Sequence, residues 1–226
     1  MAKCSQKESH MSKKEIPEAV VIFPTFKEGG YDLYQKYVAL GHVTVFKGPF
    51  KHLTKPFLNG IGGKINEGES PEDAAMREFN EEVTLHNGDD PIKDLVYIGK
   101  VEVSFFEEGE EIPSDPSEKE PDVILHVFRM YLKERVEIVP NKESPEFESF
   151  AWYPIREITY PNIGPDGAEL LPSDRFWLPF FLIGKGRRTA KLEINRQFRV
   201  HEIGKGDNYR SGRMIISREL PHPSEE

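Results

Sequence analysis

The sequence predicts an α/β/α sandwich built around a mixed β-sheet, and three observations carry that expectation. Short β-branched apolar runs open the chain, ahead of a glycine-rich turn and a capped helix at residues 57–85. Two long stretches of alternating apolar and polar residues follow, at 94–106 and 123–136. A second helical pattern, dense in aromatics, closes the series at 171–185. Strands, helix, strands, helix is the order that layered α/β domains require.

The first fifteen residues are polar, lysine-bearing and without periodicity, and 1–15 is read as a disordered leader. Ser9-His10-Met11 within it resembles a cloning junction. The domain proper is placed at 16–186, with 187–226 as a C-terminal extension consisting of a strand packed on the domain and a flexible end. Residues 17–26 contain AVVIF and read as a buried strand, ended by Gly29 and Gly30. Residues 31–46, mixed aromatic and polar, supply one or two strands. Lysines between 51 and 56 form a basic loop that either meets phosphates or is simply solvated. After the first helix, residues 86–90 are a turn-rich break. The two alternating stretches then suit a hairpin interrupted by a proline-broken acidic insertion at 106–122, read as exposed and disordered. Ser173 can cap the second helix, and Pro179 inside it removes one internal hydrogen bond and calls for a bend. Basic and apolar residues alternate beyond Arg187, as in an edge strand protected by charge.

The chemistry concentrates in the first helix. Ser70 can act as N-cap with Asp73 three residues on, and Pro71 occupies the first helical position, where its missing N–H costs nothing. On that helix Glu78, Glu81 and Glu82 stand three and four apart, so their carboxylates crowd one side and repel. A divalent cation would convert the repulsion into coordination, because hard oxygen donors suit magnesium, manganese and calcium. A solvated acidic face is the alternative. Gly60, Gly62 and Gly63 just upstream allow backbone to approach a phosphate or metal closely. Arg77 can pair with Asp73, Glu81 or Glu69 and so tie the loop to the helix.

The order Gly63, Glu69, Arg77-Glu78-Phe79, Glu81-Glu82, Thr84-Leu85 resembles the signature of the Nudix hydrolases. Thr84 stands where that family usually has glycine. A β-branched residue resists the left-handed exit that glycine permits, so the helix is expected to leave differently or run on. The resemblance implies a Nudix α/β/α sandwich and a site in which Glu78, Glu81 and Glu82 hold one to three Mg2+ ions, with Mn2+ as a substitute. A carbonyl of Gly62 or Gly63 and the downstream Glu146 are implied as further ligands, the latter competing with Glu143 and Glu148. Glu81, Glu82, Arg77 and Glu69 are the implied catalytic set. The implied reaction is attack of water on a diphosphate linkage.

Two segments resemble the oxidised-purine nucleoside triphosphatases of that superfamily, which act on 8-oxo-dGTP. Leu58-Asn59-Gly60-Ile61-Gly62-Gly63-Lys64 is similar to their Trp-Asn-Gly-Phe-Gly-Gly-Lys, and Leu171-Pro172-Ser173-Asp174 with Trp177 and Pro179 is similar to their Trp-Pro-Asp-Asp-x-x-Trp-x-Pro. The likeness implies Asn59, Lys64, Leu171 and Asp174 as substrate contacts, with Asn59 and Asp174 on the base. Leu171 replaces a stacking tryptophan, which removes about 1 to 3 kcal/mol of base stacking. Asn59 is otherwise a turn residue ahead of glycine, and Asp174 a helix-capping charge.

Composition bounds the partners. With 226 residues, a net charge of −9 and Cys4 as the sole cysteine, the chain has no disulfide of its own and no broad basic surface for duplex nucleic acid. No apolar run reaches the length of a membrane span, and a cytoplasmic home is expected. The expected partner is a small nucleotide. Rival readings are nucleotide sugars, dinucleoside polyphosphates, an RNA 5′ end, or a Nudix-fold module that binds a nucleotide without cleaving it.

Overall fold

The computed structural model describes residues 15–29, 36–43, 57–86, 90–106, 119–143, 146–159, 169–171, 174–184, 186–195 and 212–218. In chain order these form β1 (Glu18–Lys27), β2 (Lys36–Val43), β3 (Phe57–Asn59), α1 (Pro71–Glu82), β4 (Val83–His86), β5 (Ile92–Phe106), β6 (Val123–Leu132), β7 (Glu137–Pro140), β8 (Phe147–Pro154), β9 (Glu169–Leu170), α2 (Asp174–Ile183), β10 (Arg188–Asn195) and β11 (Gly212–Arg218). The leader, the lysines of 51–56, most of the acidic insertion, Ser173 and the end of the tail lie outside the described residues.

One mixed sheet organises the chain, in the order β11-β10-β5-β6-β1-β2-β3-β9, with β8 also paired to β2. The β1–β6, β5–β10 and β3–β9 pairs are parallel, and the other pairs are antiparallel. Strand β1 is central and buried over Val20–Phe26, and its alternation supplies both faces. Val20 and Ile22 join Ala74, Ala75 and Phe79 of α1, while Val21 and Phe23 join Trp177, Leu178 and Phe181 of α2. The helices therefore cover opposite faces, which is the α/β/α sandwich.

Pro24 explains how the glycine-rich loop over 60–64 reaches the sheet. On one edge β1 pairs with β2 over Thr25, Phe26 and Lys27, whereas nearer its start Val20 and Ile22 donate to the carbonyls of Gly63 and Ile61. Pro24 is the next residue of that even-numbered set and has no N–H to give, so it falls where one neighbour ends and the other begins. The other edge of β1 stays paired with β6 through this point.

Several elements differ from the sequence expectation. At Thr84 the first of the two expected exits is the one seen, and the helix does not run on: Val83 is extended at φ −139°, and the chain turns at once into β4, which pairs with β7 as a small ribbon. The expected strand over 123–136 stops at Leu132, and a second one begins at Glu137. The segment after Glu146, which carries no predicted element, is strand β8 over Phe147–Pro154, whose inward residues Phe147 and Tyr153 are buried. Its Trp152 donates from Nε1 to the Val136 carbonyl at 2.9 Å and meets Phe26 edge-on. The hairpin of β5 and β6 forms as expected, and the base of its insertion is fastened by Asp122, whose carboxylate accepts from the Phe105 N–H at 2.8 Å. Strand β10 adds to the same sheet beside β5 and buries Ala190 and Leu192. Gly99 permits this, since its φ of +136° and a Cβ position 1.9 Å from the Arg188 carbonyl oxygen leave no room for a side chain.

Candidate active site

Residues 60–64 lie against β1 as an irregular extra strand, with bridges Ile22–Ile61 and Ala19–Lys64. The contact is so close at Gly62 that a Cβ there would stand 2.0 Å from the Val20 carbonyl oxygen. A turn through Gly68, at φ +76°, then feeds α1. Ser70 caps the helix by accepting from the Asp73 N–H at 3.1 Å, and its hydroxyl donates to the Asp73 carboxylate at 2.6 Å. These local devices fix where α1 begins, and hence where its carboxylates fall.

Glu82, 5 % exposed, accepts from the Gly62 N–H at 3.0 Å. The Glu78 carboxylate lies directly over Gly63, filling the 2.4–2.5 Å around the place a Cβ would take. Glu81 faces outward, with 58 % of its side chain exposed. Arg77 joins Glu78 and Glu81 to the loop. Its Nε and Nη2 form a bidentate pair with Glu69 at 2.8 and 2.9 Å, Nη1 donates to Glu78 at 2.8 Å and to Glu81 at 3.3 Å, and Nη2 also reaches the Lys64 carbonyl at 2.9 Å. One guanidinium thus spans the loop and three glutamates, and its bidentate fork makes lysine a poor replacement.

The same geometry sets the ionisation. Hydrogen bonds from Arg77, with a further one from the Asn66 N–H, hold the Glu69 carboxyl at about 2 against an ordinary 4.5. The Arg77 guanidinium is in turn pushed up by Glu69 and Glu78. Because the folded-state pKa of Glu69 is depressed, its contribution to stability is complete above about pH 4.5 and is lost as pH falls toward 2. The melting temperatures of wild type and Glu69→Gln should therefore differ by a constant amount above pH 5 and converge below it. A gap that stays unchanged down to pH 2.5 would mean that the ion pair does not form.

The remaining sequence candidates fall in distinct places. The Gly63 carbonyl accepts from Val20 N–H at 2.8 Å. Lys64 exposes its side chain. Glu146 stands half-buried immediately before β8. Among the described residues no group of three or more His, Cys, Asp or Glu side chains is gathered around one point. What converges is the pair Glu78 and Glu82 on adjacent glycines, with Glu81 linked to it through Arg77. At the end of β3, Asn59 accepts at Oδ1 from the Gly60 N–H at 2.8 Å. Leu171 is buried, and its N–H donates to Leu58 while its carbonyl accepts from Asp174 N–H at 2.8 Å. Asp174, 7 % exposed, accepts from the Trp177 indole N–H at 3.2 Å. The β3–β9 pairing and the Leu171–Leu58 bond thus bring Leu58 against the segment that leads into α2.

Two residues that sequence reasoning passed over hold the helix ends. Asn141 contacts the last turn of α1. Arg129, 7 % exposed on β6, donates to the Phe181 and Leu182 carbonyls at the end of α2. Each acts across more than 50 residues of chain, and only Thr84 in place of glycine hinted that α1 needed an outside partner.

Residues 19–173 match the Nudix domain family. The fold is similar to that of a mutator MutT protein from Bacillus halodurans, at 16% identity and a TM-score of 0.53, covering 88% of this chain and 97% of that one. A Nudix hydrolase from Nitrosomonas europaea is similar at 15% identity and a TM-score of 0.46, over 81% of each chain. A bifunctional NMN adenylyltransferase/ADP-ribose pyrophosphatase from Francisella tularensis, complexed with AMP and a manganese ion, aligns at 14% identity and a TM-score of 0.44, over 76% of this chain and 42% of that one. No helix among the described residues is long and apolar enough to cross a membrane. The chain belongs to the Nudix domain family of hydrolases, whose members act on nucleotide pyrophosphate linkages and generally use divalent metals.

Proposed function

We propose that this protein is a magnesium-dependent pyrophosphohydrolase that cleaves a nucleoside triphosphate, an oxidised purine such as 8-oxo-dGTP in particular, to the monophosphate and pyrophosphate. The observation that carries the reading is the pair Glu78 and Glu82, set on Gly63 and Gly62 and fastened to the loop through Arg77 and Glu69. The donor set fits a hard cation, since all its side-chain members are carboxylates. Glu78 and Glu82 would hold magnesium, or manganese in its place, with Glu81, Glu146 and the Gly62 carbonyl as further ligands. The Gly63 carbonyl already serves the sheet. A metal held there would supply charge neutralisation for the phosphates and a more acidic water.

The chain's own groups do the rest. Arg77 and Glu69 keep the loop and helix in register, so that the carboxylates stay in place as negative charge moves to the leaving oxygen. Glu81, the most exposed of the three glutamates, is the one that can take a proton from water. On the base side, the Asn59 amide is oriented by its bond to Gly60 N–H, which turns its NH2 away from the loop as a donor to a purine acceptor. Asp174 supplies an acceptor. A site that relies on such groups discriminates against bases that leave them unpaired.

The test is product release, with magnesium, across normal and oxidised triphosphates, nucleotide sugars and dinucleoside polyphosphates. Pyrophosphate from an oxidised purine triphosphate well above the others supports the reading. Preference for a sugar or dinucleotide overturns the substrate, and silence throughout favours an RNA end or a binding module. Asn59→Ala should then cost the preferred base about tenfold or more in kcat/KM relative to the others, the value of one polar base contact. An equal loss on every nucleotide would mean that Asn59 shapes the loop and reads nothing.

A further inference from the structure

We propose that Asn141 is a positioning residue for the carboxylates at the end of α1, a role that rests on the hydrolase reading above. The last carbonyls of a helix have no intrahelical partner and need one from outside. In α1 the Phe79 carbonyl accepts from the Val83 N–H. The next three are taken by a single residue: Asn141 Nδ2 donates to the Asn80 and Glu81 carbonyls at 2.9 and 3.1 Å, and its backbone N–H donates to the Glu82 carbonyl at 2.8 Å. A fourth, longer contact reaches the Val83 carbonyl at 3.4 Å.

The orientation of this amide is itself fixed. The Thr84 hydroxyl donates to Asn141 Oδ1, which turns the NH2 toward the helix. Antiparallel pairing of Val83 with Pro140 and Thr84 with Val139 brings the residue there. Thr84 therefore belongs to a different ending, in which an extended exit and a side-chain cap from the residue after β7 replace a left-handed glycine. A neutral donor suits the place. The last turn of α1 has no basic residue, and it carries Glu81 and Glu82 beside the negative end of the helix dipole.

Those two glutamates are why the cap bears on catalysis. Glu82 reaches the Gly62 N–H from the turn that Asn141 holds, so fraying there moves its carboxylate off the loop. The effect is on placement, since Asn141 itself touches only main chain and Thr84 in the described contacts.

The experiment compares wild type with Asn141→Ala and Asn141→Asp by three readouts: amide hydrogen exchange of Glu82 and Val83 in metal-free protein, calorimetric binding of manganese alone, and kcat and KM on the best substrate found. Asp keeps the size and the acceptor for Thr84 but has no N–H for the carbonyls. Both variants should exchange about tenfold faster, bind manganese several-fold more weakly and lose about tenfold in kcat with KM within about twofold, as the loss of one helix cap implies. Faster exchange with manganese affinity and kcat both within twofold of wild type would overturn the proposal and leave a purely structural cap. So would an aspartate variant indistinguishable from wild type. If wild type cleaves nothing, the hydrolase reading fails on its own, while exchange and manganese binding still decide the role of Asn141.

Discussion

Glu82→Gln should lower kcat by about a hundredfold or more while leaving the melting temperature near that of wild type. The substitution preserves shape, and the amide oxygen can still accept from the Gly62 N–H, so the loop keeps its anchor. What disappears is a full negative charge in a nearly water-free place, 5 % exposed. Removing one electrostatic partner of a transition state in such surroundings costs about 3 to 4 kcal/mol. Glu82 is also a buried carboxylate whose ionisation must be offset, and neutralising it removes that cost from folding. Activity and stability should therefore move independently. Rate constants with magnesium, alongside thermal unfolding without it, check this. A variant that turns over within threefold of wild type removes Glu82 from the metal site, and one that loses activity only by unfolding leaves the question to Glu78→Gln.

The first helix was legible in the sequence because everything that defines it is local. Ser70, Asp73 and Pro71 mark its start, and Glu69 lies within reach of Arg77 across a single turn. The layer order was legible for the same reason, since the apolar run of β1 and the alternation in β5 and β6 are read within each strand. What resisted reading depends on distant chain. Asn141 sits about 60 residues from the carbonyls it caps. Asp174 reads from sequence as a charge at a helix start, and its bond from the Trp177 indole N–H is visible only in the fold. Leu171, in the place of a stacking ring, became core. Strand β8 was hidden because its acidic start suggested a loop, while its burial is set by β2 and by Gly41, whose missing Cβ leaves room for Phe147 and Phe150.

Two glycine-to-alanine substitutions, one residue apart, should separate folding from catalysis. At Gly62 the added methyl would stand 2.0 Å from the Val20 carbonyl oxygen and 2.9 Å from the Val20 carbonyl carbon and Val21 Cα. All three are backbone of β1, which is locked into β6 along its length and cannot retreat. Such overpacking against main chain should cost about 3 kcal/mol or more, which for a chain of this size is a fall of roughly 6 to 12 °C in melting temperature. At Gly63 the three atoms nearest the methyl all belong to the Glu78 carboxylate, at 2.4–2.5 Å, the far end of a flexible side chain. Glu78 can swing aside at small cost in stability, but it then leaves the loop and weakens its bond to Arg77. Gly63→Ala should accordingly melt within a few degrees of wild type and lose most of its kcat, whereas Gly62→Ala should lose stability first. Thermal unfolding of both, with turnover measured well below either midpoint, decides it. If Gly62→Ala melts with wild type, residues 60–64 do not lie against β1, and the placement of Glu82 over that loop goes with them.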